Sequence, residues 1–414
     1  MRESVRIVHA SHLRLDQPVV GLRRLGQIPR ETIRDCTLLA LRRLVEQTRE
    51  HEADLLLLTG PCWPEDGLGP RGAMALAEAC RVLSQDRIPV VLSVVDRESV
   101  QEGFRSRGLP HNLHLLLMSS GQPLKVSGAR GPAIELQVVS LNETVEEAPK
   151  VAGANLTRVG VALSGDRMLL SDAPLSIVGG PPLDDSLDYV ATCEPARRRT
   201  LNVGGTIVHS PGPLQGLNAF EQGSCGATLV ECRPEAEPRL EQLPISVFNW
   251  EQWGLEGIRG ETRGKLVARM LESAERQMQD SPTTPRVLRW NLASDEWPEG
   301  LTGAADEMDA LLDEVDSRAQ RRGWQFASQS LLRIAPLQSG DEDPLLEEYS
   351  RLLSETTATA RSGMYDWTAA LAERCQCSRA DLDRFLGRAA LGRISREALT
   401  LGRQWLLERE SQHP

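Results

Sequence analysis

The chain has no long apolar run. No stretch approaches the roughly 20 residues a membrane helix needs. The opening segment, MRESVRIVHA, has neither an apolar h-region nor a small-residue cleavage site. A cytoplasmic protein with no membrane partner is therefore expected. Cys-x-x-Cys pairs are missing too. The eight cysteines (Cys36, Cys62, Cys80, Cys193, Cys225, Cys232, Cys375 and Cys377) do not assemble zinc-ligand spacings, and 414 residues supply core enough to need no disulfide frame. They read as small buried hydrophobes. Positive charge is in deficit, 47 Lys and Arg against 58 Asp and Glu, for a net charge of −11. That balance weighs against a protein that coats nucleic acid unaided, because phosphate neutralisation supplies most non-specific affinity. No Gly-x-Ser-x-Gly elbow and no Walker pattern occur; VGGPP (178–182) and NVGGT (202–206) read as turns. There is no internal repeat.

Aromatics are scarce, with three Tyr, five Phe and eight Trp. Trp290, Trp297, Trp324, Trp367 and Trp405 fall in the last third. Trp is enriched at interface hot spots, which makes Trp367 and Trp405 candidate partner contacts.

What the chain does have is an α/β pattern. Short apolar or β-branched runs bounded by Gly, Pro and Asp fill residues 1–235: VRIVHA, DLLLLTG, IPVVLSVV, AIELQVVSL, RVGVAL, LSIVGG, DYVATC, GTIVHS and ATLVEC. Such runs imply strands covered on both faces. Between the early strands, residues 31–50 and GAMALAEACRVLSQ carry apolar side chains at helical spacing. The Pro- and Glu-rich stretch 233–244 reads as a boundary. Residues 236–340 then read as a small α+β domain: a helix over 261–279, a strand at PRVLRWNL, a helix over 304–322 and a strand at FASQSLLRIAP. Residues 341–414 read as a helical C-terminal segment. Its SRAD start, with Ser378 and Asp381, is capping-box-like.

Several landmarks occur in one order: IVHASHLRLDQPVVGL, LLLLTGP, IPVVLSVVD, RVGVALS, DYVATCEPA and GGTIVHSPGPLQGLNAFEQGSCGATLVE. Together they resemble the calcineurin-like metallophosphoesterases, most closely the SbcD/YhaO-type DNA-repair exonuclease subunits. Pro211, Gly212, Gln215, Gly216, Glu221 and Gly223 hold the places of that group's Pro-Gly-Ser-x-Gln-Gly and Glu-x-Gly loop. The resemblance implies a four-layer αββα sandwich over 1–235, an α/β capping domain over 236–340, and a tail that grips an SbcC-like coiled-coil ATPase. It also implies two divalent metals, manganese or similar. Carboxylates and imidazoles at strand ends would hold them, and the pair would activate a water against a phosphodiester.

Every ligand position departs from that pattern. The first motif's Asp and His fall on His12 and Arg14, and the bridging Asp on Pro61. The Asn and catalytic His fall on Val94 and Val95, the lone His on Ser164, and the last two histidines on Glu194 and Ala196. Arg14 places a permanent positive charge where a dication would sit. The expectation is a scaffold without its chemistry: no catalytic residues, no metal and no cofactor, with a structural or regulatory role beside the ATPase.

Two rival readings stay open. One is a working phosphoesterase or exonuclease rebuilt around His12, Glu194, Asp96 and Asp166. The other is a phosphate- or nucleic-acid-binding module using Arg14, Arg197, Arg198 and Arg199, since Arg suits bidentate phosphate contact. A homodimer is compatible with either. Asp188 reads as a structural acceptor, and Asp66 and Asp166 as solvated loop residues. His9 reads as buried packing, and His111 and His114 as surface or core residues.

Overall fold

The computed structural model describes residues 4–26, 28–63, 68–105, 107–139, 156–162, 187–193, 198–203, 205–233, 236–278, 284–294 and 296–334. The fold is mixed α/β. It divides into two compact units: Met1–Val19, Arg30–Leu217 and Glu221–Asn249 make the first, and Val20–Pro29, Asn218–Phe220 and the residues from Trp250 onward make the second.

The first unit holds two six-stranded sheets. One sheet is built from β1 (Val5–Ser11), β2 (Leu55–Thr59), β3 (Val90–Val94), β4 (Leu113–Leu117), β11 (Gly226–Arg233) and β12 (Ala236–Pro244), in the order β12-β11-β1-β2-β3-β4. β1 to β4 run parallel, and β11 and β12 close the sheet antiparallel. Helices α1 (Arg30–Arg34), α2 (Cys36–Glu50), α3 (Pro70–Gln85) and α4 (Glu98–Gly103) lie between these parallel strands in the chain, as parallel crossovers require. The other sheet takes β5 (Leu124–Ser127), β6 (Ala133–Val138), β7 (Leu156–Val161), β8 (Tyr189–Ala191), β9 (Arg199–Val203) and β10 (Thr206–Ser210), in the order β5-β6-β7-β8-β10-β9.

Strand alternation explains the layering. On β1 and β2, Val8, Ala10, Leu56 and Leu58 meet Leu41 and Leu44 of α2 and Leu76 and Leu83 of α3. Val5, Ile7, Leu55 and Leu57 point the other way, onto Ile134, Leu136, Val159, Val161 and Tyr189 of the second sheet. Helix, sheet and sheet are thus three described layers. A fourth, helical layer is not among the described residues, and LSIVGG lies outside them.

Two expectations change. The single helix over 31–50 is interrupted at Asp35, whose carboxylate pairs with Arg34 and Arg71 and is held down at about 2 by those hydrogen bonds. The boundary expected at 235 moves to Asn249 and Trp250, because residues 236–244 are the edge strand β12, in register with β11. Pro238 and Pro244 are tolerated there because an edge strand has one side that pairs with nothing.

Both long helices of this unit end in Schellman geometry. After α3, the Arg87 and Ile88 N–H groups donate to the Ser84 and Leu83 carbonyls; after α2, those of Glu52 and Ala53 donate to Arg49 and Thr48. The residue that turns left-handed is not glycine in either case: Arg87 has φ 59° and Glu52 φ 48°. Arg87 is exposed. Arg87→Gly is therefore expected to stabilise the protein by about 1 kcal/mol and raise the melting temperature by roughly 2–4 °C. An unchanged or lower Tm in a calorimetric scan would contradict this.

The second unit stacks β13 (Asn249–Glu256), β14 (Arg286–Ala293) and β15 (Phe326–Ile334) in that order against α5 (Arg263–Met278) and α6 (Ala305–Gln320). The two helices and the two last strands fall where the sequence pattern puts them. Trp290 is fully buried, edge-on to Trp253 at 5.2 Å, and donates to the Ser328 hydroxyl; it is core. Residues 20–29 join this unit because the buried Gln329 amide accepts from the Arg23 and Arg24 N–H groups and donates to the Arg24 carbonyl. Among the described residues, no helix is long and apolar enough to cross a membrane.

Candidate functional site

The C-terminal end of β1 carries the loop that the sequence singles out. Its backbone alternates: His12, Arg14 and Asp16 adopt φ 50°, 45° and 65°, while Leu13 and Leu15 between them are buried. Left-handed non-glycine residues persist only where the surroundings over-determine them. Here the loop is held against the segment after β2. The His12, Arg14 and Leu15 N–H groups donate to the carbonyls of Thr59, Pro61 and Cys62, at 3.1, 3.4 and 2.8 Å.

Arg14 does not reach outward as a phosphate contact. Its two terminal nitrogens each donate to one Glu221 oxygen at 2.7 Å, and one also donates to the Gln215 carbonyl at 2.8 Å. Both side chains are nearly buried, 12% and 8% exposed. Glu221 also accepts the Leu217 N–H at 2.8 Å. The buried Gln215 amide clasps the Val247 N–H and the Phe248 carbonyl, and the Ser11 hydroxyl donates to the Gly212 carbonyl at 2.7 Å. The Pro-Gly-x-x-Gln-Gly and Glu-x-Gly segment is thus pinned to the end of β1 by its own polar residues. Gly212 and Gly223 are its left-handed turns, at φ 76° and 87°.

His12 is buried beside Arg14. Burial first, and the Arg14 charge second, hold its imidazole down at about 3, so it is neutral at pH 7. Its Nδ1 lies 3.3 Å from the Ser11 hydroxyl. Pro61 follows Gly60 on the loop after β2 and offers no side-chain ligand. Val94 closes β3 in the core, and Val95 is 72% exposed. Asp96 is occupied elsewhere: it accepts the Ser99 N–H at the start of α4. Asp188 accepts the Arg158 N–H, the structural role expected of it. Arg198 is half-buried and reaches Gln242, and Arg199 opens β9. His111 is exposed and His114 half-buried on β4. Asp66, Asp166, Ser164, Glu194, Ala196, Arg197, Trp367, Trp405, Cys375 and Cys377 lie outside the described residues. The six described cysteines are buried, and burial pushes the thiols of Cys36, Cys62, Cys80 and Cys225 up to about 12.

The described residues of this corner do not fit two divalent metals. A guanidinium already paired with a carboxylate repels a dication and withholds Glu221 as a ligand. Among the described residues, no three His, Cys, Asp or Glu side chains converge as a metal-binding group.

Sequence reasoning missed a polar seam between the two sheets. His9 and His209 are both fully buried. Each is hydrogen-bonded through both ring nitrogens, His9 to Tyr189 and Thr59, His209 to Thr200 and Thr228, all at 2.8 Å. The signal was present as a repeated Ile-Val-His, at 7–9 and at 207–209.

No protein-family model matches the chain, and no curated protein does. Among solved structures, TT1561 of Thermus thermophilus aligns over 58% of this chain and 99% of its own, with 12% identical residues and a TM-score of 0.33. That likeness is too loose to carry an argument about fold or activity.

Proposed function

We propose that the chain is an SbcD/YhaO-like subunit whose metallophosphoesterase-type domain, with its αββα layering, has lost its dimetal centre. It acts as a structural or regulatory partner of an SbcC-like coiled-coil ATPase in DNA metabolism. One observation carries the reading of a lost centre. At the strand end where the resemblance calls for a metal-binding histidine, Arg14 is locked into a nearly buried, bidentate pair with Glu221. A cation fixed there supports a scaffold role over hydrolysis, as fold alone does not fix function. The exposed Asp96 carboxylate accepts the Ser99 N–H at the start of α4.

The direct test has two arms. Elemental analysis of the purified protein should find no stoichiometric Mn, Fe or Zn, and manganese should elicit no cleavage of linear DNA. Two metals per chain, removable by a chelator together with a phosphodiesterase activity, would restore the catalytic reading. In the second arm, full-length protein should capture a coiled-coil ATPase and a chain ending at residue 342 should not. Equal capture by both would remove the tail from the interface.

A further inference from the structure

The two buried histidines form an arrangement that the proposed scaffold role leaves unused. His9 stands on β1, in the first sheet, and its Nδ1 lies 2.8 Å from the Tyr189 hydroxyl on β8, in the second. His209 stands on β10, in the second sheet, and its Nε2 lies 2.8 Å from the Thr228 hydroxyl on β11, in the first. The two bridges cross the same seam in opposite directions, with ring centroids 6.2 Å apart. A third link joins them: the Thr59 hydroxyl, which meets Nε2 of His9, also donates across the seam to the Thr192 carbonyl at 3.3 Å. Nδ1 of His209 meets Thr200 on β9.

Every side-chain partner of the two rings is a hydroxyl. Neutral imidazoles are satisfied by such partners, because a hydroxyl donates or accepts as needed. A protonated ring would place an unpaired charge in the interior. Among the described residues, the titratable and charged groups facing the pair are the other histidine, Tyr189 with Cys232 of β11 beside it, and Arg198 and Arg199 at the start of β9. Among the described residues of this set, the charged ones, Arg198 and Arg199, are cations.

We propose that this seam is an acid-released latch, in which uptake of a proton by His9 or His209 is coupled to parting of the two sheets at the β1–β8 and β10–β11 bridges. Burial, and then the charge of Arg198, hold His209 down at about 3; burial, and then His209, hold His9 well below 6.5. The closed seam therefore binds fewer protons than the open one. Its advantage is complete above about pH 6.5 and is lost as pH falls below that value, tenfold per pH unit for each proton taken up. Bridges that hold the sheets at neutral pH are thus the first interactions to turn unfavourable in acid.

Hydrogen exchange on the full-length protein between pH 8 and pH 5, corrected for intrinsic exchange rates, reads the latch directly. Protection of the amides in 187–193 and 205–211 should fall below pH 6.5 by about tenfold per pH unit for each histidine that takes up a proton, up to about a hundredfold for the two, while amides of α5 and α6 hold theirs. His9→Gln and His209→Gln keep a donor and an acceptor without the titration. Each should reduce the pH slope, and the double variant should flatten it. Where a variant fails to fold, imidazole nitrogen shifts of the unmodified protein decide: both rings should stay neutral at pH 5 while the chain is folded. Protection independent of pH, a full slope in the double variant, or either ring titrating near 6.5 in the folded protein would overturn the proposal.

Discussion

Arg14→Met should destabilise the first unit by about 3–5 kcal/mol, the usual result of stranding one member of a buried ion pair. Glu221 would keep the Leu217 N–H at 2.8 Å but lose both guanidinium donors. Glu221→Gln should cost a similar amount from the other side, leaving the guanidinium with the Gln215 carbonyl. The double variant Arg14→Met/Glu221→Gln should cost less than the two single changes added together, by about 2 kcal/mol or more. The reason is a near-balance. At 2.7 Å and an effective dielectric near 20, the attraction is about 6 kcal/mol, while removing each ion from water costs several kcal/mol. The pair thus adds little net stability, but either ion alone is expensive. Urea unfolding followed by far-UV circular dichroism measures all three variants. Additive losses would show that Arg14 and Glu221 are not energetically coupled, and would take away the observation on which the proposed function rests.

That pair also marks how far the sequence could be read. The strand ends and the loop from Pro211 to Gly223 were legible because each is a local pattern: a β-branched run broken by Gly or Pro, and a fixed order of turn residues. The partnership of Arg14 with Glu221 was not, since it joins residues 207 positions apart through tertiary geometry. The same holds for His9, whose partners on β2 and β8 are set by which strands neighbour each other. β12 was read as a boundary for a different reason. An edge strand carries prolines and charges to discourage further pairing, so Glu237, Pro238, Arg239 and Glu241 look like a boundary while serving as a rim. β13 could have been found. Trp253 and Leu255 alternate with Gln252, Gly254 and Glu256, and the structure buries the first pair and exposes the other three. The helix pattern at 31–50 was right in period and wrong in continuity, because the interruption lies at Asp35, whose carboxylate answers to Arg71 on another helix.

The placement of β12 can be tested at a single atom. A Cβ on Gly226 would lie 2.0 Å from the Leu243 carbonyl oxygen and 3.0 Å from the Ile245 nitrogen. Both obstacles are backbone, and both belong to buried residues: Leu243 is 2% exposed and Ile245 0%, within the core shared with α2 and α3. Gly226 also ties two segments together. Its N–H donates to the Pro213 carbonyl, while the neighbouring Cys225 carbonyl accepts from Ile245 and Ser246. An added methyl cannot be absorbed by a rotamer change; it must push β12 off β11 or push the Pro211–Gly223 loop off β1. Overpacked cores commonly lose about 1–3 kcal/mol and occasionally more. With backbone on both sides, Gly226→Ala should fall at or beyond the upper end, about 3 kcal/mol or more. Gly121→Ala provides the control, since nothing lies within 4 Å of its Cβ position and its φ lies outside the left-handed range; it should stay within about 0.5 kcal/mol of the parent. Thermal unfolding of the two variants side by side measures the contrast. A loss below about 1 kcal/mol for Gly226→Ala would mean that residues 243–245 yield easily, and that the edge strand and the loop carrying Glu221 are not held in this register.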